Sequence, residues 1–172
     1  IMLKRGWMLR YLPPIVTQNI PEYVTLAGYA WAALMFALGA GTIGSLFAGH
    51  FGSVATSTVL TRRAEHADRL NAEGLRVSGK SDIHSDIVAS TDPAELGEVD
   101  LVVIATKATA VEASARALQG HFPGATVMTV QNGLGCEDVV ARYGAWPVIS
   151  SVTFMSGRRH GDSHVEYELD TA

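Results

Sequence analysis

Short apolar runs alternate with helix-like segments along most of the chain. Continuous apolar or β-branched runs predict buried strands at residues 33–38, 57–61, 100–106, 125–131 and 147–155. Helices are expected between them, at residues 42–51, 64–74, 108–121 and 136–144, and "LRVSG" and "SDIVAS" are typical of two short strands. In "TDPAELG", Asp92 before Pro93 predicts a short capped helix. Because strands and helices alternate, we expect an α/β fold with a doubly wound, mostly parallel sheet.

The turn after the first predicted strand carries a glycine motif. In "MFALGAGTIGSLF", Gly39, Gly41 and Gly44 match G-x-G-x-x-G between a strand and a helix, the context in which such glycines hold a pyrophosphate. A membrane span is the alternative, because residues 24–49 contain no Asp, Glu, Lys or Arg and are long enough to cross a bilayer. A span explains none of the pattern after residue 49, so the sequence favours a Rossmann-like dinucleotide-binding domain.

The end of the second predicted strand bears on the choice of cofactor. Enzymes that use NAD carry an acidic residue there for the adenosine ribose, whereas this chain has Arg62 and Arg63. A guanidinium forks onto a phosphate, so Arg62 predicts a contact with the 2′-phosphate of NADP. A solvated arginine pair at a helix start is the alternative, and it would oppose the helix dipole slightly.

Two further polar positions follow predicted strands at the carboxyl edge, where ligands bind in open α/β sheets. Lys107 ends "LVVIATK", and Asn132 lies in "QNGLG" before a helix. A lysine that merely reaches water and an ordinary Asn-Gly turn are the structural alternatives. Their shared edge favours a role in ligand binding.

The first 32 residues differ in character from the rest. They contain the basic stretch "KRGWMLR" and three prolines, and they form a leader or an extension beside a dinucleotide-binding domain at residues 33–172. The chain begins with Ile1, so we expect a fragment. One cysteine cannot form an internal disulfide, which favours the cytoplasm, and a net charge of −4 gives no general attraction to nucleic acid. The histidines form no metal-binding spacing.

Four motifs together resemble one family. "LGAGTIGSLF", "VLTR", "LVVIATKA" and "VQNGLG" occur in the order found in the N-terminal domain of ketopantoate reductase (2-dehydropantoate 2-reductase), and residues 34–168 are similar to that domain. The resemblance implies reduction of 2-dehydropantoate, a small 2-oxo acid, to pantoate with NADPH on the route to pantothenate and coenzyme A.

The resemblance also implies roles for individual residues. It places the 2′-phosphate on Arg62 with Lys107 nearby, Asn132 close to the nicotinamide ribose and the substrate, and the backbone of Ser156 along the cofactor. The residues that it places at the pyrophosphate are Gly39, Ala40, Gly41, Thr42, Ile43 and Gly44.

The chain departs from the family at both ends. Residues 1–32 have no counterpart in it, and the helical C-terminal domain that bears the family's general-acid lysine is expected to be missing. We therefore expect a chain that binds NADPH without turnover. Three alternatives stay open: an NADP-binding module without catalysis, a protein anchored in a membrane through residues 24–49, and another NADP-linked dehydrogenase acting on sugar nucleotides or glycerol phosphate.

Overall fold

The computed structural model describes residues 34–38 and 41–170 of the chain. Its strands are β1 Leu34–Leu38, β2 Thr56–Leu60, β3 Leu75–Gly79, β4 Ile83–Ser85, β5 Val88–Ser90, β6 Leu101–Ile104, β7 Thr126–Thr129, β8 Val148–Ser150, β9 Met155–Arg159 and β10 His164–Asp170. Its α-helices are α1 Thr42–Gly52, α2 Ala64–Glu73, α3 Val111–Leu118 and α4 Cys136–Ala141, with 3₁₀ turns at Pro93–Leu96 and Ala108–Ala110.

The larger sheet has six strands in the described residues, in the order β5-β2-β1-β6-β7-β8, and all its pairs are parallel. The strand order reverses between β1 and β6, because β2 and β5 extend to one side of β1 while β6, β7 and β8 extend to the other. The loops after β1 and β6 diverge at such a point and leave a crevice at the carboxyl edge. The expected doubly wound parallel sheet is confirmed.

Strand β6 is buried on both faces, as its continuous apolar run predicts. Val102 lies in one buried cluster with Leu118 of α3, and Val103 packs with Phe47 of α1 in another. Successive side chains of a strand point to opposite faces, so the helices α1 and α3 cover the two sides of the sheet. This packing places the carboxyl end of β6 at the crevice.

A second sheet of four strands, in the order β4-β3-β10-β9, packs on the outer side of α1. Its buried Val77 and Val165 form a cluster with Leu46 of α1. A Cβ atom added at Gly49 of α1 would lie 2.5 Å from Cγ2 of Val77, so the close approach of helix and sheet requires a glycine there. Helix α1 is therefore clamped between the two sheets.

Two sequence predictions are corrected by this second sheet. The single strand predicted at 147–155 is divided, because the chain leaves the large sheet after β8 and enters the small sheet as β9. The strand predicted at 85–90 is divided in the same way, between β4 in the small sheet and β5 in the large one.

Helix α3 is shorter than the predicted 108–121. It begins after a 3₁₀ turn and ends at Leu118, because Gly120 has a φ of 82° and turns the chain. The short helix in "TDPAELG" is confirmed as a 3₁₀ turn in which the Asp92 carboxylate accepts a 2.9 Å hydrogen bond from the Ala94 amide.

The predicted leader at 1–32 lies outside the described residues. Within the described part of the apolar run at 24–49, residues 34–38 form β1 between β2 and β6, and a separate helix begins at Thr42. Across residues 34–38 and 41–170, no helix has the length and apolar character needed to cross a membrane.

Candidate dinucleotide-binding site

The first turn of α1 follows the carboxyl end of β1 at the crevice. Gly41 is the N-cap residue with extended backbone, φ −79° and ψ 179°, and its carbonyl accepts a 2.9 Å hydrogen bond from the Ser45 amide. No side chain among the described residues caps this turn, and its first residues include no acid. Its amides and the positive end of the helix dipole therefore offer an anion site.

The glycines of the motif differ in their surroundings. A Cβ atom added at Gly41 would meet nothing within 4 Å among the described residues, so the described part of the fold does not require this glycine. Gly44 is buried where α1 packs, and Ile43 is half-buried between the two sheets. Gly39 and Ala40, the other predicted pyrophosphate contacts, lie outside the described residues.

Strand β9 of the small sheet runs beside the start of α1. A Cβ atom added at Gly157 would lie 3.1 Å from Cγ2 of Thr42 and 3.3 Å from Cδ1 of Leu46. Ser156 precedes this contact and is exposed. The small sheet thus places the predicted contacts Thr42 and Ser156 close together, although 114 positions of sequence numbering, from 42 to 156, separate them.

The two arginines after β2 have different environments. Arg62 is exposed and has no ion-pair or hydrogen-bond partner for its side chain among the described residues. Arg63 donates a 2.6 Å hydrogen bond to the Asp162 carboxylate in the turn between β9 and β10. Thr61 is buried, and its hydroxyl donates a 2.8 Å bond to the Arg63 carbonyl. Arg62 alone of this pair is left available to a ligand.

Asp162 is the centre of a polar cluster that the sequence predictions missed. Its carboxylate also pairs with Arg159, and its backbone carbonyl lies 2.9 Å from Nε2 of the buried His66. Burial, with the nearby Arg159 charge, lowers the pKa of His66. Burial acts to raise the pKa of Asp162, but the charges of His66, Arg159 and Arg63 outweigh it and lower that pKa. The cluster fastens the β9–β10 turn to the start of α2.

Lys107 and Asn132 follow adjacent strands at the carboxyl edge, and both are exposed. A Cβ atom added at Gly133 would lie 3.7 Å from Cβ of Ala108, so the two loops touch. Gln131 joins them: its Nε2 donates to the carbonyls of Ile104 at 2.6 Å and Thr106 at 3.0 Å. Gln131 was not predicted as a separate contact, although its place at a strand end could have indicated one.

The predicted residues within the described part of the chain therefore share one edge of the large sheet. Arg62, Lys107 and Asn132 follow three of its strands, and Gly41 opens the helix at the crevice beside β9. No group of three His, Cys, Asp or Glu side chains in residues 34–38 and 41–170 could hold a metal ion.

The family model described as "Ketopantoate reductase PanE/ApbA" matches residues 35–171 of the chain. The chain belongs to the ketopantoate reductase family. It is 35% identical over 132 residues to the 2-dehydropantoate 2-reductase of Halobacterium salinarum, a match that covers 74% of this chain and 42% of that protein.

Solved structures share the fold of this chain. A PanE/ApbA family ketopantoate reductase from Ralstonia eutropha superposes with a TM-score of 0.72 at 24% identity, over 80% of this chain and 46% of the other. A D-mandelate dehydrogenase solved with NADH and anilino(oxo)acetate gives 0.67 at 21% identity, over 80% and 46%. The chain spans less than half the length of these relatives, and the family resemblance seen in the sequence is confirmed.

Proposed function

We propose that this chain holds NADPH for the reduction of 2-dehydropantoate to pantoate in the cytoplasm, and that residues 33–172 form the cofactor-binding half of the enzyme. The observation that carries the proposal is the meeting of an uncapped helix start with three strand-end loops at one sheet edge. The family match and the 2-dehydropantoate 2-reductases among the relatives support it.

The residues at this edge fit a dinucleotide phosphate. The open space at Gly41 lets a pyrophosphate approach the amides of the first turn, from Gly41 to Gly44. The Arg62 guanidinium is exposed and has no partner among the described residues, so it suits the 2′-phosphate, and Lys107 adds a second positive charge at the same edge of the sheet. The backbone of Ser156 borders the same helix start and lines the cofactor.

The cofactor, when bound, supplies hydride to the C2 carbonyl of the 2-oxo acid. In the proposal, the side-chain amide of Asn132 orients the nicotinamide ribose and the substrate at the end of β7. Reduction also requires a proton for the developing alkoxide, and the sequence contains three lysines, Lys4, Lys80 and Lys107. Lys107 lies at the carboxyl edge but is assigned to the phosphate of the cofactor, so we place no general acid among the described residues.

A second candidate function follows from the lack of an assigned general acid among the described residues. The chain alone would then be an NADP-binding module, and catalysis would need a general acid from elsewhere. We expect purified chain with NADPH and 2-dehydropantoate to show background oxidation only, because losing a positioned acid costs about 10² to 10⁴ in rate. Steady loss of NADPH absorbance at about 1 per second or more would show that the acid lies within this chain.

Cofactor choice is tested by the two neighbouring arginines, which give a charge-matched pair of variants. Arg62→Ala should weaken NADPH binding about ten- to hundredfold, because a charge-assisted phosphate contact contributes about 1.5–3 kcal/mol, and should leave NADH binding nearly unchanged. Arg63→Ala removes the same charge from the Asp162 pair and should change the NADPH to NADH ratio far less. Equal losses for both cofactors in Arg62→Ala would mean that Arg62 does not read the 2′-phosphate.

A further inference from the structure

The side chain of Gln131 bridges two strand ends beyond the point where their regular pairing stops. The last register pair of β6 and β7 joins Ile104 to Thr129. Beyond it, the Gln131 amide nitrogen donates to the carbonyls of Ile104 and Thr106, at 2.6 Å and 3.0 Å. The residue is 9% exposed, so water competes little for these two bonds.

The bond to Thr106 is the one that the fold does not otherwise supply. The Ile104 carbonyl already accepts a 3.3 Å bond from the Val130 amide, whereas the Thr106 carbonyl lies past the end of β6. The Thr106 hydroxyl accepts a 3.3 Å bond from Ser114 of α3, which anchors the same residue from its other side. Gln131 and Ser114 together fix the backbone immediately before Lys107.

The oxygen atom of the same amide is in an unfavourable environment. The Gln131 Oε1 atom is buried and has no hydrogen-bond partner among the described residues. A buried acceptor without a donor is unfavourable, and an apolar side chain of similar length would avoid it. The glutamine therefore opposes stability at one atom while its nitrogen holds Thr106.

We infer that Gln131 is a positioning residue that sets the separation of Lys107 and Asn132 across the edge of the sheet; this inference rests on the proposed function of those two side chains. Its bonds join the two backbones one residue before each of them. The same two loops also touch one residue beyond Lys107 and Asn132, where a Cβ atom added at Gly133 would lie 3.7 Å from Cβ of Ala108. Among these contacts, the Gln131 amide is the one that bonds both strand ends directly beside Lys107 and Asn132.

The first test needs no nucleotide. Gln131→Met keeps the approximate length of the side chain and removes both donors, and Gln119→Met is the matched control because Gln119 is exposed after α3. Hydrogen exchange of unliganded protein should quicken at residues 105–110 and 131–135 in Gln131→Met and at neither segment in the control. Unchanged exchange in both segments would overturn the inference, whatever the chain binds.

The second test separates positioning from a general loss of stability. Well below the melting temperature, Gln131→Met should weaken NADPH binding about three- to tenfold, as expected for losing a net hydrogen bond. In a Lys107→Ala/Asn132→Ala background the same change should alter the affinity less than twofold, because Gln131 acts through those side chains. An equal loss in both backgrounds, or wild-type affinity in the single variant, would contradict the inference. A wild-type chain that binds no nucleotide would contradict the proposed function alone. The hydrogen-exchange measurement would still show whether Gln131 holds the two loops.

Discussion

Gly41→Ala separates the demands of the fold from those of the cofactor. The added Cβ atom meets nothing within 4 Å among the described residues, and the φ of −79° at this position is open to any residue. In the proposed complex, the same atom lies where the backbone approaches the pyrophosphate. The substitution should therefore be tolerated by the free protein and not by the bound one.

Two small effects on stability oppose each other in this variant. Alanine restricts the unfolded chain, which favours the native state by about 0.4–1 kcal/mol, and it is a poorer N-cap residue than glycine by a similar amount. The net change should stay within about 1 kcal/mol, a shift in melting temperature of about 2–4 °C or less. Displacing one amide–phosphate bond costs about 1.5–3 kcal/mol, so NADPH affinity should fall about ten- to hundredfold.

Calorimetric titration and thermal unfolding of the same samples measure both quantities. Gly124→Ala is the matched control, because an added Cβ atom there also meets nothing within 4 Å of the described residues and the turn lies before β7, away from the ligand edge. It should leave NADPH affinity unchanged and raise stability by no more than about 1 kcal/mol, because no N-cap is lost there. Wild-type NADPH affinity in Gly41→Ala would refute the placement of the pyrophosphate. A large loss of stability would refute the claim that the fold does not need this glycine.

Two further predictions concern the packing of α1 and the cluster at Asp162. Gly49→Ala should destabilise the protein by up to about 2 kcal/mol, because overpacking against Val77 costs about 1–3 kcal/mol and the gain in helix propensity is about 1 kcal/mol. In denaturant unfolding, the double variant Gly49→Ala/Val77→Ala should lose less stability than the two single changes added together. The pKa of His66 in the folded protein lies below its ordinary value of 6.5, so the unfolded state takes up a proton first as the pH falls. The stability that His66 contributes is therefore complete above pH 6.5 and is lost as the pH falls toward the folded pKa. His66→Gln should flatten that part of the stability profile, and an identical slope in the variant would contradict the assignment.

The sequence predicted the parts of the fold that depend on local patterns. The continuous apolar run of β6 indicated a strand covered on both faces, and it is buried on both. The Asp92 cap and the helix start after Gly41 depend on neighbouring residues, so both could be predicted from the sequence. The edge that carries Lys107 and Asn132 followed from strand alternation alone.

The small sheet could not be predicted in the same way. Its strands β3 and β10 are paired in parallel, and His164 is aligned with Arg76, far from it in the sequence. Local composition does not specify such partners, and so the runs at 85–90 and 147–155 were each assigned to a single strand. The ion pair of Arg63 with Asp162, which are 99 positions apart in the sequence, could not be predicted for the same reason.

Calorimetric titration of the wild-type chain with NADPH and with NADH is the direct test of an NADPH site at the described edge of the sheet. We expect saturable binding of one NADPH per chain, with NADH about tenfold or more weaker because it lacks the phosphate that Arg62 is proposed to contact. Absence of binding by either nucleotide up to about 1 mM, the concentration that corresponds to about −4.1 kcal/mol, would contradict it.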